Sequence, residues 1–140
     1  MDLSSINWLA VAVAALAFFG FGVLWYGPLF GKQWQQAVEL VDEELKLGRA
    51  KLFGSGLVMA LIISVGMAVI FYGFLEVNER NTLNGALLGS SIGIFFLLPA
   101  ITMNYIFARR PLGLVLIDGF YHVLAFTLVG LILGIWQSGI

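Results

Sequence analysis

The sequence has no cysteine, which excludes a disulfide framework, a thiol nucleophile, an iron–sulfur cluster and any cysteine-ligated zinc site. Charge is the next scarcity: Asp, Glu, Lys and Arg make up 11% of the 140 residues, less than half of the roughly 25% of an average soluble domain. A globule of this size exposes a large share of its residues, and so few charges cannot cover a water-facing surface. A soluble enzyme domain is therefore excluded. Seven bases against eight acids give a net charge of −1, with no clustered positive field for phosphates, so nucleic acid is not an expected partner.

What the sequence has is apolar residues, 61% of the chain, with a mean hydropathy of +1.00. A bilayer core ~30 Å thick needs about 20 consecutive apolar residues at 1.5 Å rise each. Four stretches meet that length: Ile6 to Tyr26, Leu52 to Leu75, Leu83 to Phe107 and Leu112 to Trp136. The one charge within them is Asp118. The first stretch does not read as a cleaved secretory signal, because Asp2 stands where a basic n-region belongs and no small-residue cleavage site follows a short apolar core. The predicted fold class is an all-α integral membrane protein: one domain over residues 1–140, four transmembrane helices and the lipid bilayer as its partner.

Lys and Arg near span ends are retained on the cytoplasmic side. Lys32, Lys46, Arg49 and Lys51 follow the first span and Arg109 and Arg110 follow the third, against Arg80 alone on the other side with Asp2, Glu76 and Glu79. The prediction is an inner-membrane protein with both termini outside. Trp8 and Trp136 at the outer ends, and Trp25, Tyr26 and Tyr105 toward the inner ends, match the aromatic belts of such proteins. Between the first two spans lies the cytoplasmic segment 32–51. Within it Trp34, Ala37, Val38, Leu40, Val41, Leu45 and Leu47 are set partly opposite Glu39, Asp42, Glu43 and Glu44, which predicts one short amphipathic helix beneath the bundle or at its surface. The short links Leu75 to Leu83 and Ala108 to Pro111 predict that the second, third and fourth spans are antiparallel neighbours.

On the third span Gly85, Gly89 and Gly93 recur every fourth residue, flanked by Ala86 and Ser90, and the fourth span repeats the pattern at Gly130 and Gly134. Such stripes let helices approach closely in lipid, where no hydrophobic drive exists between them. The spacing serves packing within one chain or against a second copy equally well. With only four helices per chain, a water-filled route would need several copies, which favours a homo-oligomer. Pro99 cannot donate to the Phe95 carbonyl and predicts a kink, with Thr102 or Asn104 free to satisfy a released carbonyl. Pro28, beside Gly27 and Gly31, is expected to end the first helix.

Asp118 lies about six residues into the fourth span, roughly 9 Å along it, and His122 one turn deeper, so both share a helical face within hydrogen-bonding reach. A bare carboxylate at that depth costs at least ~2.5 kcal/mol, so it must be neutral, paired or in a wet cavity. Asn104, Tyr105, Tyr26 and Trp25 lie at comparable depth, and Arg109 or Arg110 can reach up from the cytoplasmic face. The candidate polar site is Asp118, His122, Asn104, Tyr26, Tyr121, Arg109 and Arg110. It can act as a structural tie between helices, or as a proton or solute pathway. One His and one Asp are too few for a metal unless several subunits contribute. His122 beside a hydroxyl such as Ser64 is the only nucleophile arrangement available, and no nucleophile motif or phosphate-cradling glycine loop accompanies it. No catalytic residue, metal or cofactor is expected.

Two blocks of sequence carry a resemblance. The first runs Asn7-Trp8-Leu9-Ala10-Val11, then Leu24-Trp25-Tyr26-Gly27-Pro28-Leu29-Phe30-Gly31-Lys32 and Trp34, and the second Ile117-Asp118-Gly119, Tyr121-His122, Gly130, Gly134 and Trp136. Together they resemble the bacterial family catalogued as domain of unknown function 1761, over essentially the whole chain. The resemblance implies a small four-span membrane protein and transfers no activity to any residue. The expected function is a self-associating structural or accessory membrane subunit, in a homo-oligomer or larger membrane complex. The alternative is a proton, ion or small-solute channel or transporter using Asp118 and His122.

Overall fold

The computed structural model describes residues 3–137; Asp2, the termini beyond that range and the side chains of Leu3 and Leu45 lie outside the described residues. The chain runs through α1 (Trp8–Leu24), a π turn (Trp25–Leu29), α2 (Gly31–Val38), α3 (Asp42–Lys46), α4 (Arg49–Phe74), α5 (Thr82–Ile92), a second π turn (Gly93–Leu97), α6 (Leu98–Phe107) and α7 (Leu112–Gln137). Four of the resulting rods are long and apolar enough to cross a membrane: Trp8–Leu29, Arg49–Phe74, Thr82–Phe107 and Leu112–Gln137. Asn7 starts the first by accepting, at 3.1 Å, the Ala10 amide that the helix itself cannot satisfy.

The fourth span, α7, is the hub, packed along α5 and α1 and in part on α4. Close approach rests on small residues. Ala10 and Ala14 of α1 and Ala60, Ser64 and Ala68 of α4 are all buried, while Phe71, Tyr72 and Leu133 fill the space between. The second and third spans, expected as packed neighbours from their short link, meet at only a few positions. A short link brings two helix ends together, but side-chain shape decides what lies against each helix: α4 offers its small face to α1, and α5 offers its glycines to α7.

That glycine stripe has its partner within the same chain. A Cβ on Gly85 would strike the Gly130 carbonyl, one on Gly89 the Phe126 carbonyl, and one on Gly130 the Gly85 carbonyl. On Gly93 it would lie 2.6 Å from the Val123 Cα. Gly134 likewise faces the Asn81 backbone. The obstacles are backbone atoms, which cannot swing aside, so only glycine permits this spacing; the mutual approach of Gly85 and Gly130 also brings Cα–H groups against carbonyls. Of the two uses open to the stripe, the fold has the packing within one chain.

Pro28 and Pro99 each go with a widened turn. The first span ends at Leu29, one residue past Pro28 as expected, and its last turn is a π turn closed by the Phe30 N–H donating to the Trp25 carbonyl at 2.8 Å across five residues. Ahead of Pro99 the third span makes the same adjustment, with the Leu98 N–H donating to the Gly93 carbonyl. Thr102 then donates to Leu98 at 2.7 Å, not to the Phe95 carbonyl.

The connection after the first span is two short helices in place of one amphipathic helix. Glu39 adopts a left-handed φ of 61°, and Gln35 holds the break by donating to the Leu40 carbonyl at 3.2 Å and to the Asp42 carboxylate at 2.8 Å. α2 tucks under α7, Trp34 meeting Tyr26 edge-on at 5.7 Å. All six bases of the two connections on this side, Lys32, Lys46, Arg49, Lys51, Arg109 and Arg110, are exposed at this base-rich end. Arg80, at the far end, is engaged with α4: it donates to the carbonyls of Leu75 and Tyr72 at 3.0 and 2.7 Å and sits 5.3 Å from the Tyr72 ring centroid. This caps a helix C-terminus with a cation.

Candidate functional site: an aspartate held by two phenols

Asp118 is 7% exposed, and both of its carboxylate oxygens have donors. Tyr26, in the π turn of the first span, donates to Oδ1 at 2.6 Å, and Tyr105, near the end of the third, donates to Oδ2 at 2.5 Å. These lengths are those of hydroxyls donating to a carboxylate. Beside them the buried Trp25 donates its indole N–H to the Ile117 carbonyl at 3.1 Å. One short stretch of α7 is thereby tied to two other spans, and the widened turn around Pro28 lets the adjacent Trp25 and Tyr26 both reach it.

His122 does not pair with the Asp118 side chain. Its Nδ1 lies 2.7 Å from the Asp118 backbone carbonyl, as a side chain on a helix meets the carbonyl four residues back. A carbonyl only accepts, so Nδ1 carries the proton, and in the neutral ring Nε2 holds the lone pair. Tyr121, its neighbour, stands in an aromatic group with Phe18, Phe21 and Tyr26, ring centroids 5.6, 5.8 and 5.0 Å away. Its hydroxyl lies 3.4 Å from the Phe18 carbonyl, with which it makes a long hydrogen bond.

The site thus brings together Asp118, His122, Tyr26 and Tyr121 of the residues expected there, and leaves out three. Asn104 is exposed, because a helix turns by about 100° per residue and it is Tyr105, one position on, that faces α7. Arg109 and Arg110 are exposed at the end of the third span, Arg109 with a left-handed φ of 52°, and the carboxylate has phenols where an arginine was expected. Tyr105 is the functional residue the polar-site list lacked; its depth, already legible, was the available signal. Trp25 and Tyr26 belong to this packed group. Ser64 is fully buried, and its hydroxyl has no hydrogen-bond partner among the described residues, so no His122–Ser64 pair forms. Among the described residues no three His, Cys, Asp or Glu side chains gather in a form that would hold a metal ion.

Three apolar spans gathered on a fourth, whose buried aspartate is tied to phenols from two of them, define a small multi-span helical membrane protein. The chain belongs to the family described as protein of unknown function DUF1761, whose profile matches residues 9–134. No curated protein and no solved structure matches it.

Proposed function

We propose that this protein is a non-enzymatic accessory subunit of the inner, cytoplasmic membrane, self-associating or seated in a larger membrane complex. The Asp118 node carries the reading: with both oxygens engaged by phenols of two other spans, the one acidic residue within the spans works as a tie between helices. The pathway reading has less behind it. A path needs polar groups across the whole thickness. Beyond His122 the spans offer little: Ser64, buried, Thr127 and Ser90, whose hydroxyls donate to the Val123 and Leu87 carbonyls at 2.7 and 3.0 Å, the exposed Ser91, and Tyr72, whose hydroxyl accepts from Gln137 at 3.0 Å. Proteoliposomes containing the purified protein are expected to pass protons no faster than lipid alone, and a conductance above that background would oppose the proposal.

Self-association, with the glycine stripe already engaged by α7, falls to the third span, where only 11% of the apolar 18-residue window is buried. Phe95, Phe96 and Phe107 stand out from it at 72%, 70% and 82% exposure. In this cysteine-free chain, Phe96→Cys is expected to give an oxidative cross-link between copies in native membranes. Monomer at every one of these three positions would remove self-association from the proposal.

Orientation rests on six bases at one end against Arg80 at the other. Single cysteines at Ser4 and Glu43 are expected to behave oppositely toward an impermeant thiol reagent on intact spheroplasts, Ser4 reacting and Glu43 not. The reverse pattern would invert the topology.

A further inference from the structure

A cavity of about 460 Å³ lies between the first and second spans with α7 as its floor; Phe19, Tyr26, Phe53, Met59, Tyr121 and His122 are among the residues that line it. That volume suits a small organic molecule. Val23, Phe53 and Met59 at its rim are each about half exposed on the surface of the spans, at 45%, 47% and 51%. A guest therefore enters sideways, from the bilayer. The walls are aromatic and aliphatic, which favours a ring with an apolar tail.

The polar atoms of the cavity narrow the chemistry further. With Nδ1 bound to the Asp118 carbonyl, His122 Nε2 has a lone pair and no hydrogen-bond partner among the described residues. The Tyr26 hydroxyl gives its proton to Asp118 and the Tyr121 hydroxyl gives its own to the Phe18 carbonyl, so toward the cavity both act as acceptors. A purely apolar guest, such as a lipid acyl chain, leaves these acceptors unsatisfied. A guest offering only carbonyl or ether oxygens sets acceptor against acceptor. We infer that this cavity binds a lipid-soluble phenol or quinol, with the ring among the aromatic side chains and a hydroxyl donating to His122 Nε2. The inference goes beyond the accessory role and does not depend on it.

Gly27 gives the test a clean handle. It lines the cavity, and a Cβ built on it meets nothing within 4 Å. Gly27→Leu therefore adds a side chain at the cavity wall whose Cβ meets no neighbouring atom. A decyl-substituted hydroquinone, its dimethyl ether and the corresponding quinone are titrated against the purified protein in micelles, with binding read by native mass spectrometry. The hydroquinone is expected to bind saturably, and the ether and quinone roughly five- to tenfold more weakly for want of the donated hydrogen bond. Gly27→Leu should abolish saturable binding while leaving the thermal unfolding of the ligand-free protein unchanged. His122→Phe keeps the bulk and removes the acceptor, so hydroquinone binding should fall to the level of the ether, and this variant carries the test if Gly27→Leu fails to fold. Equal binding of hydroquinone and ether, or hydroquinone binding unaltered in the variants that fold, overturns the inference.

Discussion

Gly89→Leu is expected to force α5 away from α7 and lower the stability of the bundle by about 3 kcal/mol, the upper end of what overpacking commonly costs. The reason lies in what the new side chain meets. The Cβ alone would approach the Phe126 carbonyl carbon to 2.6 Å and the Thr127 Cα to 2.9 Å, and backbone cannot rotate out of the way as a side chain can. The two helices must separate along the stripe, and contacts around Gly85 and Gly130 are lost with those at Gly89. Gly66→Leu is the matched control, because Gly66 is exposed and a Cβ there meets nothing within 4 Å; its effect should stay within about 1 kcal/mol, leucine being the better helix former. Unfolding midpoints in an SDS titration compare the two. Equal midpoints would mean that the α5–α7 contact does not hold the bundle together.

The four spans were legible because length and apolarity alone fix them, and the spans of the structure begin and end within a few residues of those read from the sequence. The stripe was legible too, since a repeat of four is itself the packing signal, but its partner was not. Gly130 and Gly134 match Gly85 and Gly89 in kind, and only the fold says that they meet within one chain. The prolines were legible in part. The missing N–H at Pro28 removes one hydrogen bond from an α-helix and marked the end of the first span to within a residue, but the wider turn in which that span ends left no sequence signal. Glu39 carries no glycine-like signal for its left-handed backbone, so the break in the connecting segment was invisible. In the site, Asp118 stood out because a charge inside a span demands a partner. Which partner it takes depends on rotation about helix axes. Tyr105 and Asn104 differ by one position, and the widened turn shifts the register of Tyr26. The cavity depends on three helices leaving space at one level, which no local pattern records.

Asp118→Leu is expected to destabilise the protein by about 2–4 kcal/mol, from two phenols left without an acceptor at about 1–3 kcal/mol each, while Asp118→Asn should lose no more than about 1 kcal/mol. The amide explains the difference. Its oxygen can accept from one tyrosine, and its nitrogen can donate to the other once that hydroxyl turns, so the links from α7 to Tyr26 and Tyr105 both survive. Leucine has neither group. It does remove a charge from the membrane, but helices that come apart in the bilayer would expose that charge to lipid. The aspartate therefore favours the assembled state, and its loss weakens assembly. A tie thus predicts that asparagine is tolerated, leucine is not, and proton permeability stays at background in all three proteins. A proton pathway predicts a different order: asparagine cannot titrate, so it would abolish pH-dependent flux through a wild type that conducts, with fold and size-exclusion behaviour unchanged. SDS-unfolding midpoints and proteoliposome flux measured on the same three preparations separate these outcomes. Flux present in the wild type and lost in Asp118→Asn would turn the node from a tie into a carrier of protons.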